Sequence, residues 1–552
     1  MERAEPKRSS TRSPIVRPLL SLLLAATAVA CAPGVLPPPK AASSEPTYDA
    51  TPKAPLAWAD FDAKTFARAK AERKFVILDG SAEWCHWCHV MEAVTYHDAE
   101  VRKLLDQHFI TAKVDVDARP DVEERYAEYG WPATVIFSPD AEELGKYRGF
   151  IDPSRFVGIL NDVVAAGAGA GAGKPADEAP LPEAPLAAEQ LAWIERMTVL
   201  LLDDRWDEEQ GSWGHGQKVP LFHENAWSLS RARAGDAVAK KRALFSLDQQ
   251  LAILDPVFGG IYQYSTDGDW KHPHFEKLLY FNAGAIENYA DAAQLTGEKR
   301  YADAARSIKG YVDRFLSGPE GGFYATQDAD LNAHEQGKTF LTGHEYYAKD
   351  EAGRLAAGLP RVDTHEYARE NGLAIAAYCA FARAMKDPSA TDRATRAADR
   401  ILATHARKAG LLAHDAEPDA HLAHLADNAA FAWGLLALSE QGQKERLAQA
   451  VTLVDGVLDV MEDPRGGGFY AHTVDPDAVG IFTIRRKPFE DNVMMLRVLA
   501  KLVRAVPEKA ARYQRAIDRT LRAVATPDKI VERGRFLGDF LLALEETKAA
   551  RR

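Results

Sequence analysis

The stretch Trp84-Cys85-His86-Trp87-Cys88-His89-Val90 holds the densest set of reactive side chains in the chain. Two cysteines two residues apart, with a histidine directly after the second, fit three chemistries: a redox dithiol, a haem-attachment site, or half of a metal site. The flanking residues weigh between them. Phe75-Val76-Ile77-Leu78 reads as a buried strand, Asp79 ends it, and the segment after Cys85 reads as helical through Phe109. Gly130-Trp131-Pro132-Ala133-Thr134 then leads into the apolar run 133–137, at the position where a thioredoxin-like fold holds a cis peptide facing its dithiol. A haem protein needs neither Asp79 nor Pro132, and a zinc site needs further ligands that no second cysteine pair supplies. The residues favour a redox dithiol over an idle disulfide, a metal site or a haem site, and no cofactor or metal is expected.

In that reading Cys85 is the attacking sulfur, because unpaired N–H groups and the helix dipole at its position favour the thiolate. Cys88 is the resolving sulfur. Asp79, if buried behind the pair, has a raised pKa and takes the proton from Cys88; its alternative is a plain strand-end cap. Pro132 completes the catalytic set, and Trp84 and Trp87 shield and present the dithiol. Cys379, in the apolar stretch 374–381, reads as a core thiol.

The elements around the motif are a helix over 61–73, strands over 110–116 and 133–137, a hairpin closing over 144–150 and a helix over 154–164. This order is thioredoxin-like and occupies residues 56–165. Upstream, Lys7, Arg8, Arg12 and Arg17 precede the apolar run 19–29, which suits a signal segment ending at a lipobox cysteine, Cys31. Residues 1–31 are thus expected to direct export to a bacterial envelope, with the membrane touched only through a lipid on Cys31. Residues 32–55 and 166–189 are rich in Pro, Ala and Gly and read as tether and linker.

From 190 to 548 strand patterns fade and amphipathic helices follow one another. Gly-aromatic turns recur at 211–216, 259–264, 321–326, 410–415 and 466–472, and each is followed by a polar helix opening. These openings carry Glu224 and Asn225, Asn282, Glu370 and Asn371, Asp427 and Asn428, and Asp491 and Asn492, with Asp539 in a closing unit. Six helix pairs of this kind predict roughly twelve helices closed into an (α/α)6 toroid. The acids and asparagines are expected to meet at one mouth as a polar pocket, although each taken alone reads as a helix cap. His272, His274, Glu276 and Lys277 form the densest cluster, suited to proton transfer at a sugar or to fixing the pocket wall.

The block 82–126 followed by GWPATVIFSPD resembles the thioredoxin-like domain of the spermatogenesis-associated and YyaL-type proteins. The segments GGIYQYSTDGDWKHPHFEKLLYFNA, GGFYATQDAD and RRKPFEDN are similar to that family's toroid. The resemblance implies a multidomain chain, α/β thioredoxin-like and then all-α, of the six-hairpin glycosidase and epimerase kind. It implies a sugar-type ligand or a protein thiol client, and an unidentified redox partner. The net charge of −12 and pI near 5.8 argue against binding nucleic acid, which needs a basic surface. Three function classes follow: a thiol-disulfide oxidoreductase whose toroid binds a carbohydrate or client, a carbohydrate-active enzyme with an accessory thioredoxin-like domain, and a non-catalytic binding protein of the envelope.

Overall fold

The computed structural model describes residues 56–167, 184–333, 335, 337–417 and 422–551. Cys31 and the N-terminal segment lie outside the described residues.

The first domain opens with α1 (Ala63–Glu72), whose N-terminus is capped by the Asp62 carboxylate on the Thr65 N–H at 2.8 Å. Strand β1 (Phe75–Ser81) leads to α2 (His86–Val90), which runs on through one π-helical turn, Met91–Thr95. Then come α3 (Ala99–His108), β2 (Phe109–Asp115), α4 (Pro120–Tyr126), β3 (Ala133–Phe137), β4 (Glu143–Arg148) and α5 (Pro153–Ala166). The sheet order is β2-β1-β3-β4, with β1 parallel to β2 and antiparallel to β3. Strands β1 and β3 are therefore interior, and the apolar residues Val76, Ile77 and Leu78 of β1 are buried on both faces of the sheet. Residue pairs Gly80–Ala133 and Asp79–Thr134 bring the end of β1 beside the start of β3. That register sets the dithiol loop and the cis Trp131–Pro132 bond at the same end of the sheet.

The second domain alternates outer and inner helices. In chain order these are α6 (Ala188–Asp204), α7 (Phe222–Arg233), α8 (Ala237–Gln250), α9 (Leu279–Thr296) and α10 (Lys299–Phe315). Two short helices follow, α11 (Gly343–Tyr347) and α12 (Glu351–Ala357), before α13 (Ala368–Met385), α14 (Pro388–Thr404), α15 (Leu425–Glu440) and α16 (Lys444–Val460). The last are α17 (Phe489–Ala505), α18 (Ala510–Val524), the short α19 (Pro527–Glu532) and α20 (Gly538–Ala550). Helix α7 packs on α9, α9 on α13, α13 on α15, α15 on α17, α17 on α20, and α20 returns to α7. Six inner helices thus close a ring, with α6, α8, α10, α14, α16 and α18 outside it. The inner helices are rich in alanine because they are buried on nearly all sides and pack closely. At one close contact Gly372 of α13 meets α15 at Ala430 and Gly434, where a Cβ on either glycine would strike the partner backbone. No helix among the described residues is long and apolar enough to cross a membrane.

The recurring asparagines hold this ring to its turns. Asn282, Asn371, Asn428 and Asn492 each accept, at 2.7–2.9 Å, the backbone N–H of an aromatic or aliphatic turn residue: Ile261, Phe323, Leu412 and Phe469. Each amide NH2 donates to the carbonyl four residues earlier, and three also donate back to the turn. All four are fully buried. Their assignment as substrate-binding groups is corrected: each amide is buried and is bonded to the backbone through both its oxygen and its nitrogen. Asn225 is buried in the same way but lacks such bonds among the described residues, and nothing in the structure explains the difference. Asn428→Ala is expected to lower stability by about 3 kcal/mol, since it opens a cavity and strips the Leu412 N–H of its acceptor. A urea unfolding midpoint unchanged from the parent would refute the clamp.

Candidate functional site

Cys85 is the N-cap of α2, and its Sγ accepts the Cys88 N–H at 3.1 Å. The two cysteines are joined as a disulfide and are only 4% and 6% exposed. Asp79 lies within the sheet with Lys113 opposite it in β2, and accepts a hydrogen bond from the Tyr96 hydroxyl at 3.2 Å. Burial pushes its pKa up to about 6, against the opposing pull of Lys113 and Tyr96.

The toroid covers this dithiol. Three of its short segments, 277–278, 326–327 and 362–363, pair into a small sheet that carries Asp328 and Asp330 onto α2. The Asp330 Oδ2 lies 2.7 Å from His86 Nδ1 and 3.1 Å from His89 Nδ1, and the Ala329 N–H donates to the Trp84 carbonyl at 3.4 Å. Burial opposes charge on His89, but Asp328 and Asp330 outweigh it and hold its pKa up at about 9. Glu276 Oε1 accepts the His86 backbone N–H at 3.3 Å, and His274 lies 3.9 Å from that carboxylate, stacked on Tyr264. Trp87 packs between Phe150 and His274. Further along the contact Phe482 inserts beside Phe61 and Tyr126, Arg125 donates to the Ile484 carbonyl at 2.7 Å, and Arg369 pairs with Glu123 at 3.2 Å.

Between the two domains is a cavity of about 90 Å³. The thioredoxin-like domain contributes Trp84, Asp117 and Trp131, and the toroid contributes Tyr280, Tyr367, Arg369, Glu370, His414 and Asp427. The Trp84 Nε1 donates to Asp117 at 2.5 Å, so the residue before the attacking cysteine is tied to the cavity wall. His414 is bound by Asp427 at 2.9 Å and by the Asp117 carbonyl at 2.7 Å; burial works against its charge, but Asp427 holds its pKa up at about 9. Burial raises the pKa of Asp117, with Asp115 adding to it, and burial also raises that of Glu370. The buried Tyr367 hydroxyl and Glu370 Oε2 have no protein partner among the described residues. A second cavity of about 280 Å³ shares Tyr280 and Arg369 and is lined by Glu224, Asp491 and Asp539.

The four acids of the helix openings, and Glu276 of the 272–277 cluster, are thus divided. Glu370 and Asp427 line the interdomain cavity, Glu224 and Asp491 line the larger one, and Glu276 sits on the dithiol helix. Two of them also bind helix starts on other inner helices: Glu224 accepts the Leu537 and Gly538 N–H groups at 2.8 and 2.7 Å, and Asp427 that of Arg369 at 3.0 Å. Lys277 is corrected as a ligand-binding group, because its ammonium is fully buried on Asp255 at 2.6 Å and the Gly259 carbonyl at 2.8 Å. His272 is corrected likewise: it is a half-exposed partner of Asp269 and lines neither cavity. Sequence reasoning missed Asp328, Asp330, Asp117, Arg369 and His414 as site residues, although three of them stand in the recurring motifs GGFYATQDAD and GLLAHD.

Residues 41–156 match the thioredoxin DsbH family, described as protein of unknown function DUF255. Human spermatogenesis-associated protein 20 is 31% identical over 307 residues, covering 50% of this chain and 39% of the relative. A Caenorhabditis elegans relative, an uncharacterized protein, is 27% identical over 307 residues, covering 50% of this chain and 42% of its own. These matches therefore span about two fifths of the relatives' length. A thioredoxin H-type from Fagopyrum esculentum is 35% identical over 77 residues, covering 14% of this chain and 63% of its own. Among solved structures, a D-mannose isomerase overlays with 12% identity and a TM-score of 0.49, covering 67% of this chain and all of that one. The chain joins a thioredoxin-like domain, matched by the DsbH family, to a closed ring of paired helices, and over half its length it is similar to spermatogenesis-associated protein 20.

Proposed function

We propose that the chain is a thiol-disulfide oxidoreductase acting through Cys85 and Cys88. The observation that carries this reading is Cys85 at the N-cap of α2 with the Cys88 N–H on its sulfur, at the end of the sheet where β1, holding the buried Asp79, pairs with the strand that follows the cis Trp131–Pro132 bond. In the reduced pair Cys85 attacks one sulfur of a client disulfide, forming a mixed disulfide and releasing the other client sulfur as a thiol. Cys88, its proton passed to Asp79, then attacks Cys85 Sγ, closing the Cys85–Cys88 bond and expelling the second client thiol. Two electrons and two protons pass to the client, and an external dithiol resets the pair. The toroid lies over the dithiol, so a small or extended client fits better than a folded protein surface.

A second activity is favoured by the interdomain cavity. Aromatic walls from Trp84, Trp131, Tyr280 and Tyr367, beside carboxyl groups and His414, suit hydroxyl groups, and at about 90 Å³ the cavity takes one end of a polyhydroxylated ligand and not a whole sugar ring. The carbohydrate reading therefore attaches to this cavity and not to His272 or Lys277. The export read from the segment ending at Cys31 goes with an oxidising envelope compartment, where such a couple exchanges with other disulfides.

The test is turnover of oxidised glutathione and of insulin with excess dithiothreitol as electron donor. The parent is expected to reduce the small disulfide faster than it reduces insulin, with Cys85→Ser at the uncatalysed rate. Equal rates for parent and Cys85→Ser would reject the activity.

A further inference from the structure

Five titratable side chains converge where the toroid meets α2, and they come from both domains. His86 and His89 belong to the dithiol helix, while Glu276, Asp328 and Asp330 belong to the toroid. All five are buried, none more than 7% exposed. With neutral imidazoles the group carries three negative charges in a space that excludes water, and protonating both histidines still leaves one in excess. Glu276 adds an independent sign of an unmet partner: its Oε2 is buried and has no hydrogen bond among the described residues.

The geometry is that of a ligand set. His86 Nδ1 and His89 Nδ1 lie 2.7 and 3.1 Å from the same Asp330 oxygen, so that one carboxylate is held between two imidazoles. Ligand atoms of His89, Asp328 and Asp330 all lie within 4.8 Å of one another. The remaining nitrogen of His89, Nε2, is 3.1 Å from the Glu83 carbonyl. As a donor there it leaves the Nδ1 lone pair toward Asp330, the arrangement by which a backbone carbonyl commonly orients a metal-bound imidazole. Asp330 is fixed in turn, because its Oδ1 accepts the Gly343 N–H at 2.8 Å.

We propose that His89, Asp328 and Asp330 form a divalent transition-metal site that pins the toroid onto the dithiol helix, with His86 holding Asp330 from the other side. An imidazole with two carboxylates suits zinc or manganese(II) better than calcium, which prefers oxygen alone. Glu276 lies beside the set and shares its charge balance. The cysteines are not ligands in this arrangement, which separates it from a dithiolate zinc site.

The full chain, stripped with a chelator and freed of it by dialysis, is titrated with Zn2+ and separately with Mn2+ by calorimetry. Bound metal is counted by mass spectrometry. One ion per chain is expected in the parent and in the Cys85→Ser/Cys88→Ser double variant, with affinity at least about 10-fold weaker in His89→Gln and in Asp330→Asn. Circular dichroism identifies a variant that fails to fold, in which case the other is read. The proposal is overturned if the parent binds neither ion stoichiometrically, if binding disappears in the double cysteine variant, or if the folded ligand variants keep parental affinity. None of these outcomes depends on disulfide exchange, so the site and the oxidoreductase reading fail separately.

Discussion

Cys88→Ser is expected to accumulate a covalent adduct with its client, and Cys85→Ser is expected to form none. The asymmetry follows from position. Cys85 stands at the helix N-cap with the Cys88 N–H on its sulfur, whereas Cys88 lies one turn inside α2. When Cys88 is serine, attack by Cys85 still forms the mixed disulfide, but no internal thiolate remains to release it. Turnover of a small disulfide should fall to background in both variants, while intact mass shows the client's added mass only in Cys88→Ser. Adducts in Cys85→Ser instead would reverse the roles of the two sulfurs.

The second large effect concerns Asp79, whose replacement is expected to stabilise the protein while slowing exchange. Burial raises the folded-state pKa to about 6 from 3.8, despite Lys113, Tyr96 and Ser81, with Glu92 adding to the rise. A group with a raised folded pKa of this kind binds its proton more tightly in the folded chain. Its penalty is therefore absent below about pH 4, grows as pH rises through 4 to 6, and is complete above 6. A shift of about two units corresponds to about 3 kcal/mol. Asp79→Asn should thus gain about 2 to 3 kcal/mol over the parent at pH 7.5 and show no gain at pH 4. The same variant loses the acceptor for the Cys88 proton, so release of the mixed disulfide should slow about 100-fold. Denaturant midpoints at the two pH values, together with single-turnover release rates, check both halves. Unchanged release would leave Asp79 as a buried strand-end residue.

The parts of the site that sequence reasoning reached are local. The apolar run 75–78, the dithiol and the proline at 132 each speak through their neighbours, and one strand register brings them together. The toroid was legible because its turns and helix openings recur, and a ring of equivalent helices closes on itself. The same recurrence misled at the asparagines. A polar residue repeated at every helix opening resembles a ligand group, but its amide is bonded to backbone groups that only the folded turn supplies. Lys277 failed for a related reason, since its buried partner Asp255 lies in a turn 22 residues earlier. The short helix α4 has a charged sequence with little periodicity and escaped the pattern. Asp330 stands 244 and 241 residues from His86 and His89, and nothing in the local sequence of either segment points to the other.

The most direct test of the central claim is the redox equilibrium of the pair itself. The full chain is equilibrated with glutathione buffers of graded reduction potential, trapped with an alkylating reagent and weighed intact. Cys85 and Cys88 are expected to gain two labels together, along one two-electron curve whose midpoint lies in the range of thioredoxin-like exchange proteins, on the order of −270 to −120 mV. A pair that stays oxidised at potentials well below that range, on the order of −300 mV or lower, would be a structural disulfide and would contradict the account.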